Sequence, residues 1–132
     1  LKKNVLTIQT FFIILGLKKG DRVAFLVANA PETVVCVLAA ASLGLICSLA
    51  STDFGANGVI ERFEQIEPKM FIYHAASVYN GKTIENQTKA AEVVKRIKSI
   101  QSVMVLDLLI ESAESFNYND LIAHQAPIHT EL

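Results

Sequence analysis

The sequence predicts an α/β fold, a parallel sheet of about four short strands with crossover helices. Two observations point there. Four short apolar runs, Arg22–Val27, Leu45–Leu49, Met70–Tyr73 and Val103–Leu106, alternate with segments whose apolar residues recur at helical spacing. The runs are apolar almost throughout, as expected of strands covered on both faces, and a helix between consecutive strands is the signature of right-handed parallel crossovers.

Val5–Leu15 reads as a helix. Val5, Ile8, Phe12 and Leu15 share a face, and Gly16 stands where a helix C-terminus favours glycine. Lys18-Lys19-Gly20-Asp21 is a turn into the first strand. Asn29-Ala30-Pro31-Glu32 opens a second helix, with Pro suited to its first turn and Glu to the positive end of its dipole. That helix runs to Leu43, stops at Gly44, and is apolar enough to be buried on more than one side. After the second strand, Ser51, Thr52 and Asp53 supply turn and cap chemistry, and Gly55 and Gly58 relax the backbone. A short helix follows, with Val59, Ile60, Phe63 and Ile66 on one face, until Pro68 stops it. Ala75–Lys82 reads as a loop and Thr83–Lys98 as a long helix with Ile84, Ala90, Ala91, Val94 and Ile97 inward. Beyond Asp107 the pattern dissolves into a polar linker over Glu111–Asn117 and a short helix over Tyr118–His124. The domain reading is therefore an α/β subdomain over 1–106, then a linker and short helix over 107–132.

The 132 residues suit one domain or subdomain, and 52% hydrophobic against 19% charged residues is enough for a core and too apolar for disorder. A net charge of −1 carries no basic excess for nucleic acid or an anionic membrane. The apolar run Val34–Ala50 is broken by Ser42, Gly44 and Ser48 and lacks basic flanks, so it reads as buried helix then buried strand rather than a membrane span. Cys36 and Cys47 lie in apolar runs and read as small buried hydrophobes. No signal-peptide pattern is seen at the start of the chain. His74, His124 and His129 have no metal-ligand spacing and read as surface or loop-end residues, so no metal site is expected. No serine has the flanking glycines of a nucleophile elbow, and Gly55-Ala56-Asn57-Gly58 lacks the spacing of a dinucleotide fingerprint.

The stretch Ser51–Lys69 also carries a resemblance. Asp53-Phe54-Gly55, Gly58-Val59, Arg62-Phe63 and Gln65-Ile66 with Pro68-Lys69 resemble a segment of the AMP-forming acid–CoA ligases. So do Gly16-Leu17-Lys18-Lys19-Gly20-Asp21-Arg22-Val23 and Leu38-Ala39-Ala40-Ala41-Ser42-Leu43-Gly44. Val78-Tyr79-Asn80-Gly81-Lys82 is similar to one short-chain subgroup of that family. The resemblance runs from about Leu15 to Val105.

The resemblance implies a cytoplasmic enzyme that uses ATP with Mg2+ and CoA to activate a small-molecule acid, with no nucleic-acid or membrane partner. Such ligases place two loops against the nucleotide end of CoA. Their counterparts here are Ser51, Thr52, Asp53, Phe54 and Gly55 in the first loop, and Tyr79 and Lys82 in the second. In that second loop the family carries two basic residues flanking a glycine. Lys82 keeps one charge, and Tyr79 replaces the other with a ring able to stack on adenine. Taken by themselves, Asp53 is equally a helix cap and Lys82 equally a solvated lysine, while Phe54 reads as a core residue ahead of a ligand contact. The family binds ATP phosphates with a Ser/Thr/Gly-rich loop ending in Pro-Lys and carries a catalytic lysine on a C-terminal domain. Neither pattern occurs here, and phosphoryl chemistry needs such charge neutralisation. The expectation is an N-terminal piece of a ligase whose partner is the remainder of that chain. By itself it would form no acyl-adenylate, which pyrophosphate release would test. A non-catalytic remnant with only a folding or nucleotide-binding role, or another short-chain ligase, is the alternative.

Overall fold

Along the first strand, Val23, Phe25 and Val27 join one apolar cluster and Ala24 and Leu26 another. Successive side chains of a strand point to opposite faces, so both faces of this sheet are covered. The computed structural model describes residues 2–79, 81–107 and 115–123. The main sheet is built from β1 (Arg22–Val27), β2 (Ile46–Ser51), β3 (Met70–Tyr73), β6 (Ser102–Val105) and β7 (Ser115–Asn117), in the spatial order β2-β1-β3-β6-β7. Every pairing in it is parallel, with Val23 opposite Cys47 on one side and Met70 on the other, and Met70 opposite Ser102.

Helices α1 (Lys2–Ile14), α2 (Pro31–Ser42) and α5 (Tyr118–Ala123) cover one face. Ile8, Phe12, Val35, Cys36, Ala39 and Tyr118 pack there on Val23, Phe25, Ile72 and Met104. Helices α3 (Ala56–Glu64) and α4 (Gln87–Arg96) cover the other, where Val59, Ile60, Phe63, Ala90 and Val93 meet Ala24, Leu26, Phe71 and Val105. Gly16 ends α1 at φ +84°, a left-handed conformation that costs glycine nothing, and Leu17 N–H then bonds back to Phe12 C=O at 3.2 Å.

Four expectations are corrected. Ala75–Lys82 is not a loop, and no helix begins at Thr83. β4 (Ala76–Tyr79) and β5 (Lys82–Glu85) form an antiparallel hairpin, and α4 starts only at Gln87. Gly81, between the two strands, has φ +76°, and in the sequence an Asn-Gly pair between two short runs is the strongest short-range hairpin signal. With its start displaced, α4 also turns a different face inward. Ala90, Val93 and Ile97 are buried, Ile84 lies in β5, and Ala91 and Val94 are exposed. Ser115–Asn117, expected within a linker, is a fifth strand paired to β6, with Phe116 edge-on to Phe11 of α1 at 4.8 Å. The rest of that linker and His124 lie outside the described residues.

Two burial expectations also change. α2 is covered on one side only, leaving Val34 and Leu38 exposed, and Cys47 is half-buried because β2 is an edge strand, whereas Cys36 is fully buried. Burial pushes both thiols up, Cys36 far more than Cys47. Among the described residues, no helix is long and apolar enough to cross a membrane.

Candidate functional site

Because all five strands run the same way, their carboxyl ends share one edge. The chain leaves β1 for β2 on one side and later returns to β3 on the other. The carboxyl ends of β1 and β3 therefore flank a topological switch point, where open α/β sheets characteristically place ligands. In this molecule His74 bridges that point. Its ring Nδ1 accepts the Ala28 N–H at 3.1 Å, and its backbone N–H donates to Leu26 C=O at 3.0 Å. An accepting Nδ1 leaves the ring proton on Nε2, which faces Glu32 Oε1 of α2 at 3.7 Å. His74 does follow a strand end, as expected, but it is buried rather than on the surface.

Two further side chains shape this edge. The Asp107 carboxylate, just past β6, accepts the N–H groups of Ala75 and Ala76 at 2.7 and 3.0 Å. The buried Asn86 donates through Nδ2 to His74 C=O at 2.9 Å, and its N–H bonds Ala75 C=O at 2.8 Å. The base of the β4–β5 hairpin is thereby fastened to the end of β3. Asn86 and Asp107 were not singled out from the sequence. Asp107 carries one local signal, a polar residue directly after the apolar run Val103–Leu106, and Asn86, which follows Glu85, carries none.

Beside the switch point, a cleft of about 250 Å³ opens between the ends of β1 and β2. Val27, Leu49 and Ala50 give it an apolar wall, and Asn29, Thr33 and Ser51 polar groups. Thr33 Oγ1 donates to Ala28 C=O at 2.8 Å, which ties the first turn of α2 to the strand end.

Ser51, the last residue of β2, thus borders the cleft and begins the first predicted loop. Its C=O accepts the Phe54 N–H at 3.1 Å, a turn that leaves Asp53 exposed, while Thr52 is buried. Phe54 is 43% exposed, so it is no core residue, and a ring held in water is open to a ligand. Asp53 is not the cap of α3 either. That position belongs to Gly55, with no side-chain capping bond.

Tyr79 and Lys82 stand opposite each other as cross-strand partners at the hairpin end. The helix expected to begin directly after Lys82 is not there, since Thr83 lies in β5. Lys89, in the helix that follows the hairpin, reaches the first loop. From α4 its Nζ donates to Thr52 C=O at 2.7 Å. Among the described residues no group of three or more His, Cys, Asp or Glu gathers to hold a metal ion.

The model of the AMP-binding enzyme family matches residues 1–129. Acetoacetyl-CoA synthetase of Macaca fascicularis is 46% identical over 92 residues, which cover 70% of this chain and 14% of that protein. The Xenopus tropicalis acetoacetyl-CoA synthetase is 39% identical over 110 residues, 83% of this chain and 16% of that one. The solved structure of acetoacetyl-CoA synthetase from Streptomyces lividans matches with a TM-score of 0.87 at 28% identity, over 94% of this chain and 20% of that chain. The chain thus spans about one seventh of the length of these curated relatives. It belongs to the AMP-binding enzyme family, in which it is similar to the acetoacetyl-CoA synthetases.

Proposed function

We propose that this chain is part of an acetoacetate–CoA ligase, which converts ATP, acetoacetate and CoA to acetoacetyl-CoA, AMP and diphosphate, and that its share of the work is one wall of the CoA site. The observation that carries this is the likeness to acetoacetyl-CoA synthetases over 70% to 83% of the chain, together with the position of the first loop at the carboxyl edge of a parallel sheet. Ser51, Thr52, Asp53, Phe54 and Gly55 form one arm of that wall. Tyr79 and Lys82 belong to the second. The exposed Phe54 ring supports the reading, because an aromatic surface at a loop tip suits an adenine face. ATP with Mg2+ and the acid are handled by the rest of the ligase chain, and the enzyme works in the cytoplasm.

Lys82→Ala in the full-length ligase tests this. Charge-assisted contacts to phosphate contribute about 1.5–3 kcal/mol, so the KM for CoA rises about tenfold to a hundredfold. Acetoacetate-dependent ATP–pyrophosphate exchange, which requires no CoA, keeps its rate. An unaltered KM for CoA would return Lys82 to a solvated lysine and remove the CoA reading of the hairpin.

A further inference from the structure

In the loop after β2, Phe54 N–H bonds Ser51 C=O at 3.1 Å, and the helix that follows has no side-chain cap. Lys89 supplies a restraint from outside. It lies 37 residues further along the chain, and its Nζ reaches Thr52 C=O at 2.7 Å, where Thr52 is the one buried residue between exposed Ser51 and Asp53. The helix that carries Lys89 is itself set against the switch point. Asn86, directly ahead of α4, bonds His74 C=O and Ala75 C=O, and Glu85 Oε1 accepts the Thr88 N–H at 3.0 Å. A line of short contacts therefore runs from the end of β3, through Asn86 and α4, to the backbone of the 51–55 loop. Burial pushes the Lys89 ammonium below its ordinary value, and the Asp53 and Glu85 carboxylates offset part of that.

We propose that Lys89 is the positioning residue of this site, holding the Ser51–Gly55 loop in register with the β4–β5 hairpin so that both arms meet one CoA molecule. The inference rests on the CoA reading given above. Lys89 acts through the Thr52 carbonyl and touches no ligand atom. An ammonium is suited to this, since its donors rotate and its long stem spans the space between α4 and the loop.

The test uses the full-length ligase with Lys89→Met, Lys89→Arg and Lys82→Ala. Lys89→Met raises the KM for CoA about tenfold, the loss of one charge-assisted hydrogen bond. The rise is the same with dephospho-CoA, and the thermal midpoint and the acetoacetate-dependent ATP–pyrophosphate exchange hold. Lys89→Arg, which keeps a cationic donor, recovers most of the affinity. An unchanged KM in Lys89→Met alongside a raised KM in Lys82→Ala overturns the role of Lys89 while the CoA site stands. If neither variant moves the KM, the CoA reading falls and this inference with it. A defect that disappears with dephospho-CoA makes Lys89 a direct phosphate contact and overturns positioning. A lowered thermal midpoint with equal losses in both half-reactions leaves Lys89 merely structural, and overturns it as well.

Discussion

The two edges of the sheet are fastened by different means. At the amino edge the ties are charged and wet. Asp21 accepts the Lys18 N–H at 2.8 Å and pairs with Lys69 at 3.4 Å, with side chains a quarter to a third exposed. Arg22 donates to Ile66 and Glu67 carbonyls, which holds Glu67 at φ +47° just ahead of Pro68. At the carboxyl edge the ties are buried at Asn86 and part-buried at His74 and Asp107, and all are aimed at backbone amides and carbonyls. His74 takes the Ala28 N–H, Asn86 reaches His74 C=O, and Asp107 takes two amides in succession. A hydrogen bond made away from water loses more when broken than an ion pair in solvent, because the stranded partner stays desolvated. The carboxyl edge therefore loses more when a tie is cut, and the first loop and the β4–β5 hairpin both start from it.

The comparison breaks most readily at Asp107. Asp107→Ala strands two amides and costs about 2–3 kcal/mol in chemical denaturation. Asp107→Asn, which retains one acceptor, loses less. Equal losses for the two would show that the amides find water instead.

A smaller effect is expected at His74. His74→Leu removes the acceptor of the Ala28 N–H and costs about 1–2 kcal/mol, whereas His74→Asn places an oxygen close to the former Nδ1 and recovers part of it. Denaturation midpoints that rank Asn with Leu would locate the contribution of His74 in packing, not in its hydrogen bond.

The smallest effect is at the amino edge. The Lys18 backbone N–H, first, and then Lys69 hold the Asp21 carboxyl below its ordinary value. A carboxylate with a lowered folded-state pKa stabilises above its unfolded value, and that contribution is lost as pH falls through the folded one. Asp21→Asn thus lowers stability at neutral pH by about 0.5 kcal/mol or less and flattens the acid limb of the stability profile below about pH 4. A loss as large as that of Asp107→Ala would erase the distinction between the edges.

Much of this molecule was legible in the chain itself. β1 and β3 fall at the expected residues, and α1, α2, α3 and β6 within a few, because continuous apolar runs and helical spacing report burial directly. The first loop was legible from Thr52 to Gly55, with Ser51 falling in β2 instead, since a cluster of turn residues after a strand leaves little choice. Around the hairpin, helical spacing was extended back across Thr83 and Ile84, and the local Asn80-Gly81 signal that would have limited it was passed over.

Other features had no local signal. Three residues, Ser115–Asn117, are too few for any period, and they become a strand only because β6 presents an unpaired edge. The exposure of Phe54, the burial of His74 and the reach of Lys89 to Thr52 depend on distant segments being brought side by side. Composition and spacing determined the layered α/β fold, because periodic burial is written along the chain. The grouping of His74, Asn86, Lys89 and Asp107 around two loops was decided by the tertiary structure alone, because a hydrogen bond between residues far apart in sequence leaves no pattern in either one's neighbours.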